Sequence, residues 1–156
     1  MLYLIRHAHA EDAPNDAVRP LSRRGRHQAE RLADFLKGGE TAPPDEIWHS
    51  PLLRARETAE IVAGALQWKA PLRVAEGLLP DDPPGMAAKR LPADRTVAVF
   101  GHNPHLTYLA TLLVTGRTAP AAFSFKKSAA LALESGGDGR AGGWLVLWHI
   151  DPDFLR

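Results

Sequence analysis

The chain has 156 residues and a mass of 17.0 kDa, the length of one globular domain with a sizeable core. Its 45% apolar and 24% charged residues exclude a disordered chain, a collagen-like repeat and a coiled coil. The net charge of +1 gives no global field that would favour nucleic acid or a membrane as partner. We therefore expect a single domain over residues 1–156.

The absence of cysteine excludes disulfides and thiolate chemistry. The first seven residues lack the basic start and long apolar run of a signal peptide, and no stretch of about 20 apolar residues occurs. A cytoplasmic location is the expectation that follows.

Short apolar runs alternate with helical patterns along the chain. The strands are predicted at residues 2–5, 46–49, 72–75, 96–100, 129–133 and 144–150. The last two are predicted to form a hairpin or neighbouring strands at one sheet edge. Strands that alternate with helices favour an α/β fold, a three-layer sandwich whose mostly parallel sheet carries helices on both faces.

Each predicted helix has a start signal. Ser22 is predicted to cap a helix that ends at residues 38–39. Ser50 is predicted as the N-cap of a second helix, with Pro51 at its first position. Asn103 and Pro104 are predicted to play the same parts for a helix that runs to about residue 115.

Cationic and imidazole side chains follow three of the predicted strands. The first strand leads into Arg6 and His7, the second is followed by Arg54 one helical turn on, and the fourth is followed by His102. Ligands of α/β sheets bind outside the carboxyl ends of the strands, so these side chains are expected to converge on one crevice. Together with helix N-termini they suit an anion, above all phosphate.

Each residue taken singly has a simpler explanation. His7 or His102 alone is more often a structural histidine, and Arg54 alone more often pairs with Glu57 or Glu60 on its own helix. Their joint placement at three strand ends favours function over that explanation.

A metal site is also considered for the His7-Ala8-His9 run. No further ligand set has suitable spacing, and Arg6 would repel a cation, so we expect neither a metal nor a cofactor.

The motifs Arg6-His7-Ala8, 50–55 (SPLLRA) and 101–104 (GHNP) resemble the three motifs of the histidine phosphatase superfamily. Residues 18–22 (VRPLS) with Gly25, and the short length, resemble its small SixA-type phosphohistidine phosphatase branch. The resemblance covers residues 1 to about 150 and implies a phosphoglycerate-mutase-like fold. It also implies a phosphohistidine intermediate on His7.

By the same resemblance, Arg6, Arg54 and His102 form the phosphate pocket and are catalytic with His7. The chemistry agrees, because a neutral imidazole is a competent nucleophile and nearby arginines keep it neutral at pH 7. Arginine guanidinium groups present forked donors to phosphoryl oxygens. The activity implied is that of a metal-independent phosphatase.

Two features depart from the family pattern. Ala8 stands where Gly is more usual, a change of one methyl group. The general acid of larger relatives has no clear counterpart. Glu76 is the nearest candidate, with Asp81 and Asp82 behind it, although solvated loop residues explain all three equally well. A weak acid favours an imidazole leaving group over an alkoxide.

The predicted function is therefore that of a phosphohistidine phosphatase acting on a phosphorylated protein. The alternatives are a small-molecule phosphomonoesterase of the same superfamily, with a small phosphate ester as substrate, and a non-catalytic phosphate-binding module.

Arg19, Arg23, Arg24 and Arg26 form a local basic cluster. Arg19 is a candidate for the border of the phosphate site. The other three are expected on a solvated helix face, with docking to an acidic protein as the less favoured explanation. No nucleic-acid-binding motif accompanies the four tryptophans, so neither nucleic acid nor a membrane is expected as a partner.

Overall fold

The architecture described here is that of a computed structural model covering residues 1–39 and 41–155. A six-stranded sheet, in the order β3-β2-β4-β1-β5-β6, forms its centre. The strands are β1 (Leu2–Arg6), β2 (Glu46–His49), β3 (Leu72–Val74), β4 (Val97–Gly101), β5 (Ala130–Ser135) and β6 (Trp144–Ile150). The helices are α1 (Arg23–Gly38), α2 (Leu53–Ala65), α3 (Pro84–Ala88) and α4 (His105–Thr115), with short 3₁₀ turns at Asp16–Val18 and Pro152–Phe154.

The sheet is mostly parallel, as predicted. β3, β2, β4 and β1 pair in parallel, whereas β5 runs antiparallel to both β1 and β6. β4 lies between β2 and β1 in the middle of the parallel part. β6 is an edge strand of the sheet and pairs with β5, as the prediction of neighbouring edge strands requires. The predicted strand positions are confirmed to within two residues.

Helices cover both faces of the sheet, because successive side chains of a strand point to opposite sides. On one face, Tyr3 and Ile5 of β1 belong to the core cluster that contains Leu32 of α1 and Val62 of α2. On the other face, Leu4 of β1 belongs to the cluster formed with α3 and α4. The three-layer α/β sandwich is thereby confirmed. Within the described residues, no helix is both long and apolar enough to cross a membrane.

The predicted start of α2 is wrong. The helix begins at Leu53 with Leu52 as N-cap, and Ser50 and Pro51 lie in the preceding turn. The Ser50 hydroxyl accepts a hydrogen bond from the Leu52 N–H at 3.2 Å and pairs with the His102 ring at 2.5 Å. The Ser50 hydroxyl therefore joins the turn before the helix to the His102 ring, and the helix itself begins three residues after Ser50.

The predicted start of α4 is wrong by one residue for a similar reason. The helix begins at His105 with Pro104 as N-cap, whereas the Asn103 amide donates to the Phe125 carbonyl at 2.8 Å. Sequence reasoning also missed the short helix Pro84–Ala88.

The cap of α1 is confirmed and fixes the helix against the loop after β1. The Ser22 hydroxyl accepts from the Gly25 N–H at 3.0 Å, and the Ser22 N–H donates to the His9 carbonyl at 3.0 Å. A β-carbon on Gly25 would lie 1.9 Å from that carbonyl oxygen. Only glycine allows this approach. The first turn of α1 is therefore held against His9, which lies two positions after His7 in the chain.

We expect Gly25→Ala to destabilise the protein by about 1–3 kcal/mol, because the loop or the helix must shift to admit the methyl group. The free energy of unfolding in urea measures the effect. Gly64→Ala is the matched control: nothing lies within 4 Å of the new β-carbon in helix α2, and alanine propensity predicts equal or higher stability. Equal stabilities of Gly25→Ala and the wild type would contradict the close approach.

Candidate active site

The crevice forms where β1, β2 and β4 end. Arg6 pairs with Gly101 at the last register position of β1 and β4, and the His7 N–H donates to the Gly101 carbonyl at 2.9 Å. These pairings bring His7 and His102 together, with ring centroids 5.0 Å apart. Both residues are buried, at 5% and 1% exposure. The predicted convergence of the strand ends is therefore observed for the two histidines.

The His7 ring is held in one tautomer by its neighbour. Nδ1 lies 2.7 Å from the Ala8 carbonyl oxygen, which can only accept, so Nδ1 carries the proton. The neutral ring then has its lone pair on Nε2, which forms no hydrogen bond within the described residues. The Ala8 N–H donates to the Thr58 hydroxyl at 3.0 Å, and this contact holds the backbone that orients the ring.

Both imidazoles are neutral at pH 7. Burial lowers the pKa of His7 to about 3, with the charges of Arg54, Lys127 and Arg6 adding to the effect against the Ala8 hydrogen bond. Burial also lowers the pKa of His102 to about 2, with His7 and Arg54 contributing. A neutral His7 keeps the lone pair that a nucleophile needs.

We expect the ring protons of His7 and His102 to show no NMR titration between pH 8 and 5. In urea, both rings should titrate near pH 6.5, the value of an unshifted histidine. Because the unfolded chain takes up these protons below pH 6.5 and the folded chain does not until about pH 3, stability must fall on acidification. The loss from pH 7 to 5 is about 2 kcal/mol per imidazole. Titration near pH 6 in the folded protein would contradict this account.

Ser50 positions His102. Its hydroxyl lies 2.5 Å from His102 Nε2, and both side chains are fully enclosed. The other ring nitrogen, Nδ1, is buried and has no hydrogen-bond partner among the described residues. The ring therefore has one nitrogen fixed by Ser50 and one buried nitrogen without a partner among the described residues.

The two predicted arginines lie at the same crevice and are held by different partners. Arg6 Nη1 donates to the Phe125 carbonyl at 2.6 Å. Arg54, with a side chain only 6% exposed, donates from Nη1 to the Asp16 carbonyl at 3.0 Å and pairs with the Asp16 carboxylate at 3.3 Å. The Nε atoms of both arginines are buried without a partner in the described part of the chain.

Arg19 reaches the site through Asp16. Its guanidinium lies 3.3 Å from the Asp16 carboxylate that also binds Arg54, and 3.6 Å from Asp12. Hydrogen bonds from Arg19 and the charge of Arg54 outweigh desolvation and lower the pKa of Asp16. Asp16 thus supplies one negative charge shared by two arginines.

Glu76 lies on the surface beside the second motif. Its side chain is 89% exposed and sits 3.6 Å from Arg90. It lines a cavity of about 310 Å³ together with Pro51 and Met86. The position suits contact with a substrate group outside the phosphate pocket.

Sequence reasoning missed Lys127, Asp16 and the positioning contact of Ser50. Burial, followed by the charges of Arg6, Arg19, Arg54 and Arg24, lowers the pKa of Lys127. The sequence contained a signal for Lys127, because this residue precedes β5. The start of β5, which is antiparallel to β1, lies beside the carboxyl end of β1. The described residues contain no cluster of three or more His, Asp or Glu side chains that could hold a metal.

Residues 2–79 match the family model of the histidine phosphatase superfamily, branch 1. The chain is 31% identical to the phosphohistidine phosphatase SixA of Escherichia coli K12 over 161 aligned residues, covering 99% of this chain and 96% of that one. The structure resembles that of the protein histidine phosphatase SixA complexed with tungstate, with a TM-score of 0.87, 29% identity and 99% of both chains covered. A phosphoserine phosphatase from Entamoeba histolytica shares the fold, with a TM-score of 0.69, 17% identity and 95% of each chain covered.

These likenesses extend over nearly the whole chain and include the first two of the three sequence motifs within the residues that the family model matches. The third motif supplies His102, which the structure places against His7. The chain belongs to the histidine phosphatase superfamily, branch 1.

Proposed function

We propose that the chain is a phosphohistidine phosphatase that works through a covalent phosphohistidine on His7. The observation that carries the proposal is the His7 ring itself: its Nδ1 is bound to the Ala8 carbonyl, and its pKa of about 3 leaves the Nε2 lone pair free at neutral pH. The names of the SixA relatives, one of them in complex with the oxyanion tungstate, support the same assignment. We infer that one domain, organised around the single sheet, performs the reaction.

The first step transfers the phosphoryl group. His7 Nε2 attacks phosphorus while the bond from phosphorus to the leaving imidazole nitrogen breaks, and that nitrogen takes a proton from solvent. Arg6 and Arg54 hold the phosphoryl oxygens, whose charge must be balanced during in-line transfer. His102 donates to the same group once the bound dianion favours its protonated form.

The second step restores the enzyme. The oxygen of a water molecule attacks phosphorus, the bond to His7 Nε2 breaks with its electron pair returning to the ring, and the proton of the water passes to solvent. The products are inorganic phosphate and the free histidine of the substrate. Arg19, which shares Asp16 with Arg54, borders the phosphate site in this proposal.

The environment of Glu76 supports phosphohistidine over an alkyl ester. A general acid contributes about 10²–10⁴ to the rate when the leaving group is a poor one. Glu76 is almost fully exposed and paired with Arg90, so nothing holds its proton at the leaving group. An imidazole nitrogen accepts a proton from solvent readily and needs this help less than an alkoxide.

The deciding experiment measures phosphate release from a histidine-phosphorylated protein, an aryl phosphate and an alkyl phosphate, with a chelator present and His7→Ala as the blank. We expect a His7-dependent preference for phosphohistidine. A preference for the esters would make the chain a small-molecule phosphomonoesterase. Phosphate binding without turnover would make it a binding module.

Glu76→Gln tests the leaving-group argument directly. We expect an unchanged kcat/KM on both phosphohistidine and the alkyl phosphate, because nothing holds the Glu76 proton at the leaving group. Asp94→Asn, the same loss of one carboxylate charge on an exposed residue before the amino end of β4, is the control. A large loss on phosphohistidine would show that Glu76 protonates this leaving group.

A further inference from the structure

A groove lined by cations leads away from the catalytic crevice. A cavity of about 330 Å³ is lined by Arg6, Arg24 and Lys127, and a second cavity of about 480 Å³ continues along α1 past Arg23 and Arg31. Arg24, Gln28 and Asp153 line both cavities, so the two are adjacent. We refer to this surface, from Arg6 to Arg31, as the basic groove.

Most of the charge in the basic groove is unbalanced. Arg6, Arg23, Arg24 and Lys127 form no ion pair with any of the residues that the structure describes. Lys126, in contrast, is neutralised by aspartates at 151 and 153, at 3.3 and 2.9 Å. Like charges held together lower stability, and a partner of opposite charge that binds beside the site would relieve this repulsion.

The groove has a fixed position relative to His7. Gly25 packs against the His9 carbonyl, and Ser22 caps α1 on the same loop, so the first turn of the helix cannot move independently of the catalytic strand end. Arg24 lies in that turn and is exposed. A group bound at Arg24 therefore lies at a fixed distance from a phosphoryl group at His7.

We propose that the basic groove docks an acidic protein surface that flanks the phosphorylated histidine of the substrate. The inference rests on the proposed function and names the partner class for the same site. Carboxylates of the partner would pair with Arg23, Arg24 and Lys127 while its phosphoryl group enters between Arg6 and Arg54. The overall charge of the chain is only +1, so the attraction is local and selects partners whose negative charge lies next to the phosphohistidine.

Charge reversal at Arg24 tests the proposal. The substrates are a histidine-phosphorylated acidic domain, the same domain with its flanking carboxylates changed to amides, and phosphoimidazole. We expect Arg24→Glu to raise KM on the acidic domain about tenfold with kcat unchanged, and to leave phosphoimidazole turnover unchanged. Added salt should shrink the difference between wild type and variant. Arg117→Glu, an identical change on an exposed arginine after α4, should behave as the wild type.

Three results would overturn the proposal. One is an unchanged KM of Arg24→Glu on the acidic domain. Another is an equal effect on the amide-substituted domain. The third is inhibition by a polynucleotide but not by the unphosphorylated acidic domain, which would assign the groove to nucleic acid. Failure of the proposed function itself is distinct, because the wild type would then turn over neither the acidic domain nor phosphoimidazole.

Discussion

His7→Ala should abolish the phosphoenzyme and lower kcat on phosphoimidazole by at least about 10⁴-fold, the scale seen when a nucleophile is removed. The expectation follows from the geometry, because the His7 Nε2 lone pair has no hydrogen-bond partner among the described residues. The nitrogens of the neighbouring His102 cannot replace it, because Nε2 is bound to Ser50 at 2.5 Å and Nδ1 is buried. Acid-labile, base-stable phosphate on the quenched protein measures the intermediate, and phosphate release measures turnover.

His27→Ala serves as the control for the same substrate. This exposed histidine pairs with Glu30 at 3.1 Å and has no contact with the crevice, so full activity is expected. Phosphoenzyme formation that persists in His7→Ala would move the nucleophile elsewhere and contradict the mechanism.

Arg54→Ala is expected to cause the second-largest loss, about 10²–10⁴ in kcat/KM, because it removes a buried two-nitrogen donor from the phosphoryl group. The loss has two parts. The variant lacks the guanidinium, and it also leaves the Asp16 carboxylate with Arg19 as its remaining partner at 3.3 Å, so that the less balanced charge repels the incoming phosphate. Arg54→Lys should restore little of the lost kcat/KM, because a single ammonium cannot replace the two donor nitrogens of the guanidinium.

The double variant Arg54→Ala with Asp16→Asn separates the two parts. We expect it to recover about tenfold over Arg54→Ala alone, because the repelling charge is gone. Arg56→Ala is the matched control, since this arginine lies on the exposed face of α2 and pairs with Glu60 at 3.3 Å. A double variant no better than Arg54→Ala would show that Asp16 exerts no repulsion on the substrate.

Helix starts were the least predictable part of the fold. At α1 the Ser22 prediction is confirmed: its hydroxyl accepts from the Gly25 N–H at 3.0 Å and also contacts the His9 ring at 2.7 Å, which lies beside the same helix start. At α2 and α4, Ser50 and Asn103 carry the same local signal but bind His102 and the Phe125 carbonyl instead. Residues beside a binding site are recruited by distant groups, and local propensity gives no information on that competition.

The candidate site divides in a similar way. Arg6, His7, Arg54 and His102 could be predicted, because each follows a strand whose carboxyl end lies at the same sheet edge. Lys127 could have been found from its position before β5, but the prediction covered only residues that follow strands. Asp16 could not be predicted, because a 3₁₀ turn brings it to Arg54 from a distant part of the chain.

The sequence by itself determined the α/β class and the strand positions, since the hydrophobic periodicity of a segment can be read from its own residues without knowing its tertiary contacts. It also determined the position of the candidate site, since parallel strands place their carboxyl ends together. Only the tertiary structure decided the tautomer of His7, the low pKa values of both histidines and the partner of Arg54. The tautomer, the pKa values and the ion pair depend on burial and on residues distant in the chain, and a local sequence segment specifies neither of these.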